Sequence, residues 1–197
     1  MKLLIATNNR GKMEEMRALL AGLRVELITP AQAGVDLHVT EDGTTYAENA
    51  GKKAIAFARA TDLISLADDS GLEVEALGGA PGLYSARYVP KAGATDADRR
   101  AYLLANLGGK PRPWRARFRA AIAVAVPRGS VQRVEGECPG EIIPEERGTG
   151  GFGYDPIFFI PELGRTMAEL DMDEKNRVSH RARAVMNAKP ILEMLFP

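Results

Sequence analysis

The sequence predicts an α/β fold built on a mixed sheet, and three observations carry that expectation. Short apolar runs alternate with stretches whose apolar residues recur at helical spacing, glycine and proline clusters punctuate the joins, and two strand-like segments adjoin across one tight turn. Alternation alone favours a parallel sheet, and a hairpin set into it makes the sheet mixed. No repeat, low-complexity tract or linker divides the 197 residues, which suits a single domain over residues 1–197 or two closely joined lobes.

Leu3 to Ala6 is apolar and reads as a buried first strand. A helix follows from about Gly11 to Ala21, with Met13, Met16, Leu20 and Leu23 on one face. Val25 to Ile28 is a second short strand. Thr45-Tyr46-Ala47-Glu48 has the form of a capping box and opens a helix through about Ala60, whose buried face is Ala47, Ala50, Ala54, Phe57 and Ala58. Leu63 to Ala67 reads as a strand that ends at Asp68-Asp69-Ser70-Gly71, and Gly78 to Gly82 as a loop. A helix is expected from Asp96 to Leu107, and strands from Arg117 to Val126 and Ser130 to Glu137 with Pro127-Arg128-Gly129 as the turn. The last helix starts after Ser179, and Pro190 should kink or interrupt it.

Composition narrows the function. Lys plus Arg (26) balances Asp plus Glu (26), so no global field favours a nucleic-acid polymer or an anionic membrane. An anionic ligand must be held by a local cationic cluster. The single cysteine, Cys138, can form no internal disulfide, and no apolar stretch approaches the roughly 20 residues of a membrane helix. Together with the absence of a leader-like start, this points to a cytoplasmic protein.

Five segments could carry chemistry. Thr7-Asn8-Asn9-Arg10-Gly11-Lys12 lies at a strand-to-helix turn, where free N–H groups favour a negative ligand and where a lysine in the first turn opposes the dipole. Simple capping by Asn8 or Asn9 is the plainer account. Glu41-Asp42-Gly43 precedes a helix on which Thr45, Asn49 and Lys53 share a face. Lys52 stands four residues after Glu48 and suits a surface ion pair with it, which favours Lys53 as the phosphate ligand. Glu41 is either a metal ligand or a solvated acid.

Asp68-Asp69-Ser70-Gly71 is the strongest local signal. Two adjacent carboxylates at the end of an apolar strand need a cation or donors, and hard oxygen ligands suit Mg²⁺. The plainer account is an Asx turn. In Gly150-Gly151-Phe152-Gly153-Tyr154-Asp155-Pro156, the glycines leave the Phe152 ring free of neighbouring side chains and able to stack on a base, unless it is a core aromatic. Lys175-Asn176-Arg177-Val178-Ser179-His180-Arg181 concentrates cations at a helix start capped by Ser179, and is otherwise a basic solvated surface.

Taken together these segments closely resemble the inosine/xanthosine triphosphate pyrophosphatase family. The resemblance rests on Thr7-Asn8-Asn9 with Lys12, Glu41 to Thr44 with Glu48-Asn49-Ala50, and Ala67 to Leu72. It continues through Leu77 to Tyr88, Gly150 to Phe158, and Lys175 with Ser179-His180-Arg181. Two mild departures are Glu75, where an Asp is usual, and Gly51 inside a helix. The resemblance implies an elongated two-lobed α/β fold with a long mixed sheet flanked by helices, a cleft between the lobes, and a homodimer. It implies hydrolysis of ITP, dITP and XTP to the monophosphate and pyrophosphate. By the same resemblance Thr7, Asn8, Asn9, Arg10, Gly11, Lys12 and Lys53 hold the triphosphate, and Glu41 and Asp69 bind Mg²⁺. Asp69 is also the base for the attacking water, and Ser70 touches substrate. Phe152, Gly153, Tyr154, Asp155, Lys175, His180 and Arg181 form the base pocket. A Maf-like pyrophosphatase of other base preference and a non-catalytic nucleotide-binding module are the competing readings. A P-loop enzyme is disfavoured, because Gly-x-x-x-x-Gly-Lys-Ser/Thr is missing.

Overall fold

Seven strands and five α-helices succeed one another in the computed structural model, which describes residues 1–197. They are β1 (Lys2–Ile5), α1 (Arg10–Leu19), β2 (Glu26–Ile28), α2 (Tyr46–Thr61), β3 (Ile64–Val74), α3 (Asp96–Leu107), β4 (Trp114–Ala125), β5 (Val131–Ile142), β6 (Phe158–Ile160), β7 (Arg165–Thr166), α4 (Met172–Val178) and α5 (His180–Leu195). The strands form one sheet in the order β2-β1-β3-β4-β5-β6-β7. β1 lies parallel to both β2 and β3, with α1 and α2 supplying the crossovers that parallel pairing requires. β6 is antiparallel to β5 and to β7, so the sheet is mixed, as the alternation broken by a hairpin predicts. No helix is long and apolar enough to cross a membrane.

The chain divides into two compact units. The first comprises Met1–Asp69, Ala120–Gly136 and Arg181–Pro197. Its core joins Leu3 and Ile5 of β1, Met13, Met16 and Leu19 of α1, Leu66 of β3, Ile122 and Val124 of β4, and Val185, Ala188 and Leu192 of α5. The second comprises Ser70–Arg119 and Glu137–His180, with Leu72, Leu103, Leu107, Trp114, Phe118, Ile142, Ile157, Phe158 and Met167 in its core.

Local chemistry sets most element ends. Asn9 caps α1 by accepting from the Lys12 N–H at 3.0 Å. Thr45 caps α2 through the Glu48 N–H, but the Glu48 carboxylate turns to the Thr44 N–H and hydroxyl (2.7 and 3.0 Å), so only half of the expected capping box forms. Thr95 and Asp98 make a complete box at the start of α3. Gly51, which costs about 1 kcal/mol against Ala in a helix, is buried beneath the mobile end of the Arg133 side chain. A Cβ there would stand 2.6 Å from the Arg133 guanidinium, which lies over α2 and donates to the Ala47 carbonyl at 3.1 Å.

Three expectations need correction. β3 does not stop before Asp68-Asp69; it runs on to Val74, because Leu72 and Val74 are fully buried apolar residues that continue the strand. What ends there is the parallel ladder, since Ile5 is the last β1 residue paired with β3, opposite Leu66. Ala47 is only half buried, and Tyr46 and Asn49 take up the buried face of α2 instead. Lys175 lies within a helix of its own, α4, opened by an Asp171–Glu174 capping box, and Ser179 separates it from α5 in an extended conformation. Pro190 lies inside α5, and of the two expected effects an interruption does not occur, since the helix runs on to Leu195.

Candidate active site

In the first unit the side chains of α1, α2, β3 and α5 converge on the adjacent carboxylates. Strand alternation sends Asp68 and Asp69 to opposite faces of the sheet, so each meets different partners. Lys12 Nζ reaches Asp68 Oδ2 at 2.5 Å. Arg181 meets the same carboxylate through Nε and Nη2, both at 3.3 Å, and meets Glu15 of α1 through Nη1. Arg181, Asp68 and Glu15 are all buried, so this is an interior ion network rather than a solvated basic surface. Lys53 of α2 serves the other side: its Nζ lies 2.7 Å from Glu41 Oε1, 4.0 Å from Asp69 Oδ1, and 2.7 Å from the Asp68 carbonyl, to which it donates. Asn49, one turn earlier on the same face, accepts from the Gly43 N–H at 2.8 Å and hydrogen-bonds Asp69. Lys52 points away and pairs with Asp42 at 2.5 Å rather than with Glu48, whose carboxylate is already engaged by Thr44.

These surroundings drive the two aspartates apart. Burial pushes the Asp68 carboxyl up, but the fields of Arg181 and then Lys12 outweigh it and hold the group well below the usual carboxylate range. Asp69 is raised, chiefly by burial, with Lys53 pulling the other way. Burial likewise lowers the Lys12 ammonium against the attraction of Asp68. The two neighbours therefore differ: Asp68 is held as an anion between Lys12 and Arg181, while Asp69 binds a proton more readily than an ordinary carboxylate.

The second unit carries the loop between β5 and β6. Lys175 Nζ donates to Asp155 Oδ2 at 2.6 Å with both side chains 5% exposed, and the same oxygen accepts from the Phe152 N–H at 3.0 Å. The Lys175 ammonium also stands 5.2 Å from the centroid of the half-buried Phe152 ring. Gly151 has φ +69°, and a Cβ there would overlap the Asp155 carboxylate, so only glycine lets the loop close on this pair. The buried Tyr154 hydroxyl donates to the Ser85 carbonyl at 2.9 Å. His180 is buried, stacked on Phe118 with centroids 4.7 Å apart.

The donor set near Lys53 can be weighed against the divalent metal that the resemblance implies. Glu41 and Asp69 present hard carboxylate oxygens toward one shared point, now served by an ammonium, and a cation there would relieve the burial penalty on Asp69. No group of three or more His, Cys, Asp or Glu side chains forms a protein cage for a metal. Two carboxylates fit Mg²⁺, which characteristically takes one or two protein carboxylates and completes its shell with phosphates and water.

Of the residues singled out in the sequence, Lys12, Glu41, Lys53, Asp68, Asp69 and Arg181 are joined by the contacts above, as are Phe152, Asp155 and Lys175. Thr7 accepts from the Asn9 N–H at 3.2 Å and shapes the turn, in which Asn8, Asn9 and Arg10 are exposed and Gly11 is half buried. Ser70 is half buried on β3. Two residues carried a legible signal without receiving a role: Asn49, on the Lys53 face, and Glu15, one turn beyond Lys12. Asp96 and Arg100 of α3, which grip Gly153, gave none.

A model of the Ham1 family matches residues 3–191. A dITP/XTP pyrophosphatase of Desulforamulus reducens is 49% identical over 199 residues, covering 100% of this chain and 98% of its own. One of Gloeobacter violaceus is 54% identical over 185 residues, 93% of this chain and 90% of its own. Among solved structures, the Ham1 protein of Staphylococcus aureus superposes with a TM-score of 0.86 at 38% identity, covering 98% of each chain. A nucleoside-triphosphatase / dITP/XTP pyrophosphatase of Mycobacterium abscessus gives 0.75 at 41% identity, with 96% of this chain and 100% of that chain covered.

Proposed function

The chain belongs to the Ham1 family, and from that premise we infer that it is a nucleoside triphosphate pyrophosphatase that hydrolyses non-standard purine nucleotides such as ITP, dITP and XTP to the monophosphate and pyrophosphate. The observation that carries the site reading is the meeting of Lys53 with Glu41, Asp69 and the Asp68 carbonyl, beside the Lys12–Asp68 pair.

In this reading Thr7 to Lys12 and Lys53 hold the triphosphate. Glu41 and Asp69 hold Mg²⁺, which when bound neutralises phosphate charge and lowers the pKa of water. Asp69 takes the proton of a water molecule as its oxygen forms a bond to phosphorus at the α–β anhydride. The bond to the departing pyrophosphate breaks, and the ammoniums of Lys12 and Lys53 stabilise the charge it carries away. Asp68 keeps Lys12 and Arg181 in place. With Arg181 engaged by Glu15 and Asp68 in the interior network, base reading falls first to Lys175, supported by Asp155, His180 and the Phe152 ring. The Lys175 ammonium donates to the 6-keto oxygen of hypoxanthine or xanthine. Adenine offers a 6-amino group there and leaves two donors facing each other, a mismatch heavily penalised when buried. The enzyme acts as a homodimer in the cytoplasm in this reading, by family resemblance.

The test is pyrophosphate release from ITP, XTP, ATP, GTP, CTP and UTP, with and without Mg²⁺. Metal-dependent release from ITP and XTP far above ATP, CTP and UTP is expected. Equal use of all six, or release of single phosphate, would overturn the specificity.

A further inference from the structure

The loop expected to stack and read the base has an intrinsically loose backbone: Gly151 and Gly153, on either side of Phe152, both sit at positive φ (+69° and +64°). Such a segment holds an aromatic ring in one place only if its backbone groups are tied down from outside. Its first end is tied by the Gly150 N–H, which donates to the Ala168 carbonyl at 3.0 Å. The Phe152 N–H is taken by Asp155. The last residue, Gly153, is gripped on both of its polar groups by α3. Its N–H donates to Asp96 Oδ2 at 2.8 Å, and its carbonyl accepts from Arg100 Nη1 at 2.9 Å.

Asp96 and Arg100 are four residues apart and therefore share a face of α3, matching an acceptor and a donor to the two ends of one residue. Both bonds are charge-assisted and stronger than ordinary amide pairs. Each side chain is itself fixed. Arg99 pairs with the other oxygen of Asp96, and Glu146 takes Arg100 through Nε and Nη2 at 2.8 and 2.9 Å. The helix is rigidly seated, with a full capping box at Thr95–Asp98 and Leu103 and Leu107 in the core. Nothing in this arrangement is needed to fold a helix, since Asp98 already completes the cap.

We propose that Asp96 and Arg100 are positioning residues for base recognition, clamping the Gly153 peptide so that the Phe152 ring and the Lys175–Asp155 pair stay in register for the purine. This rests on the assignment of Phe152 and Lys175 to the base. The clamp touches none of the groups assigned to metal, phosphate or proton transfer. Its loss therefore weakens binding of substrate and transition state alike and appears in KM rather than kcat.

The experiment is steady-state kinetics on ITP and ATP for wild type, Asp96→Ala, Asp96→Asn, Arg100→Met and Leu103→Ala, with melting temperatures for each. Asp96→Ala and Arg100→Met should raise KM for ITP roughly tenfold, the scale of one lost charge-assisted hydrogen bond, with kcat changed less than about threefold. The ITP-over-ATP preference should fall with them. Asp96→Asn retains an acceptor for the Gly153 N–H and should recover most of the KM. Leu103→Ala removes a core side chain from the same helix and should lower the melting temperature while leaving KM in place. KM unchanged in Asp96→Ala, or raised equally in Leu103→Ala, would overturn the clamp while wild-type turnover of ITP kept the functional reading intact. A wild type inactive on ITP would overturn both.

Discussion

Arg181→Ala is the perturbation whose consequence the structure changes most. As a base-reading residue, Arg181 would be expected to affect selectivity first. Its side chain is instead 2% exposed, and it faces Asp68 and Glu15, whose side chains are 2% and 4% exposed. Removing one member of a buried ionic group leaves its partners charged and unsolvated, a loss of about 3–5 kcal/mol. Lys12 still meets Asp68 at 2.5 Å, so Glu15 bears most of the penalty and the lower part of that range applies. For a chain of this length each kcal/mol moves the midpoint by roughly 2–4 °C, which places the expected fall in Tm at about 6–16 °C. The assay is thermal unfolding followed by circular dichroism, with urea unfolding for the free energy. Acidification supplies an internal check. The folded Asp68 carboxyl lies well below its ordinary 3.8, so its stabilising contribution is complete above that value and is lost as the pH falls below it. The gap between wild type and variant should therefore narrow below about pH 4. A variant that melts within about 2 °C of wild type at neutral pH would refute the reasoning, since the network could not then be carrying buried charge.

Two further outcomes follow from the same geometry. Asp69→Asn should lower kcat on ITP by about 10²–10⁴, the usual contribution of a positioned base, yet should not lower Tm. Burial already disfavours the Asp69 anion, so a neutral amide relieves the folded state; initial rates beside a melting curve test both halves, and an active variant would remove Asp69 from proton transfer. Gly151→Ala places a Cβ against the Asp155 carboxylate at a left-handed φ, and should cost about 1–3 kcal/mol of stability and raise KM for ITP. Wild-type KM and Tm in that variant would show that the loop can close on Lys175–Asp155 in another way.

The sequence alone determined what depends on near neighbours. Apolar periodicity located the helices and strands, Thr45 announced one helix start, and the hairpin made the sheet mixed. The face shared by Thr45, Asn49 and Lys53 set Lys53 apart from Lys52, and Lys53 does turn toward Glu41 and Asp69 while Lys52 pairs with Asp42 rather than with the expected Glu48. All of these are interactions within a few residues along the chain, and they leave a readable spacing. Tertiary structure alone decided who meets whom. Arg181 finds Asp68 113 residues away and Glu15 166 residues away, which turns a run of basic residues into an interior network. Asp68 and Asp69, alike in sequence, shift in opposite directions because burial raises both but Arg181 and Lys12 outweigh it only at Asp68, and β3 continues past them because Leu72 and Val74 have a core to enter. Asp96 and Arg100 carried no signal in the sequence, and only the folding of Gly153 against α3, more than fifty residues on, gives them a common target. Charge and burial act through space, so their outcome is fixed by which segments the fold packs together and carries no periodic signature in the chain.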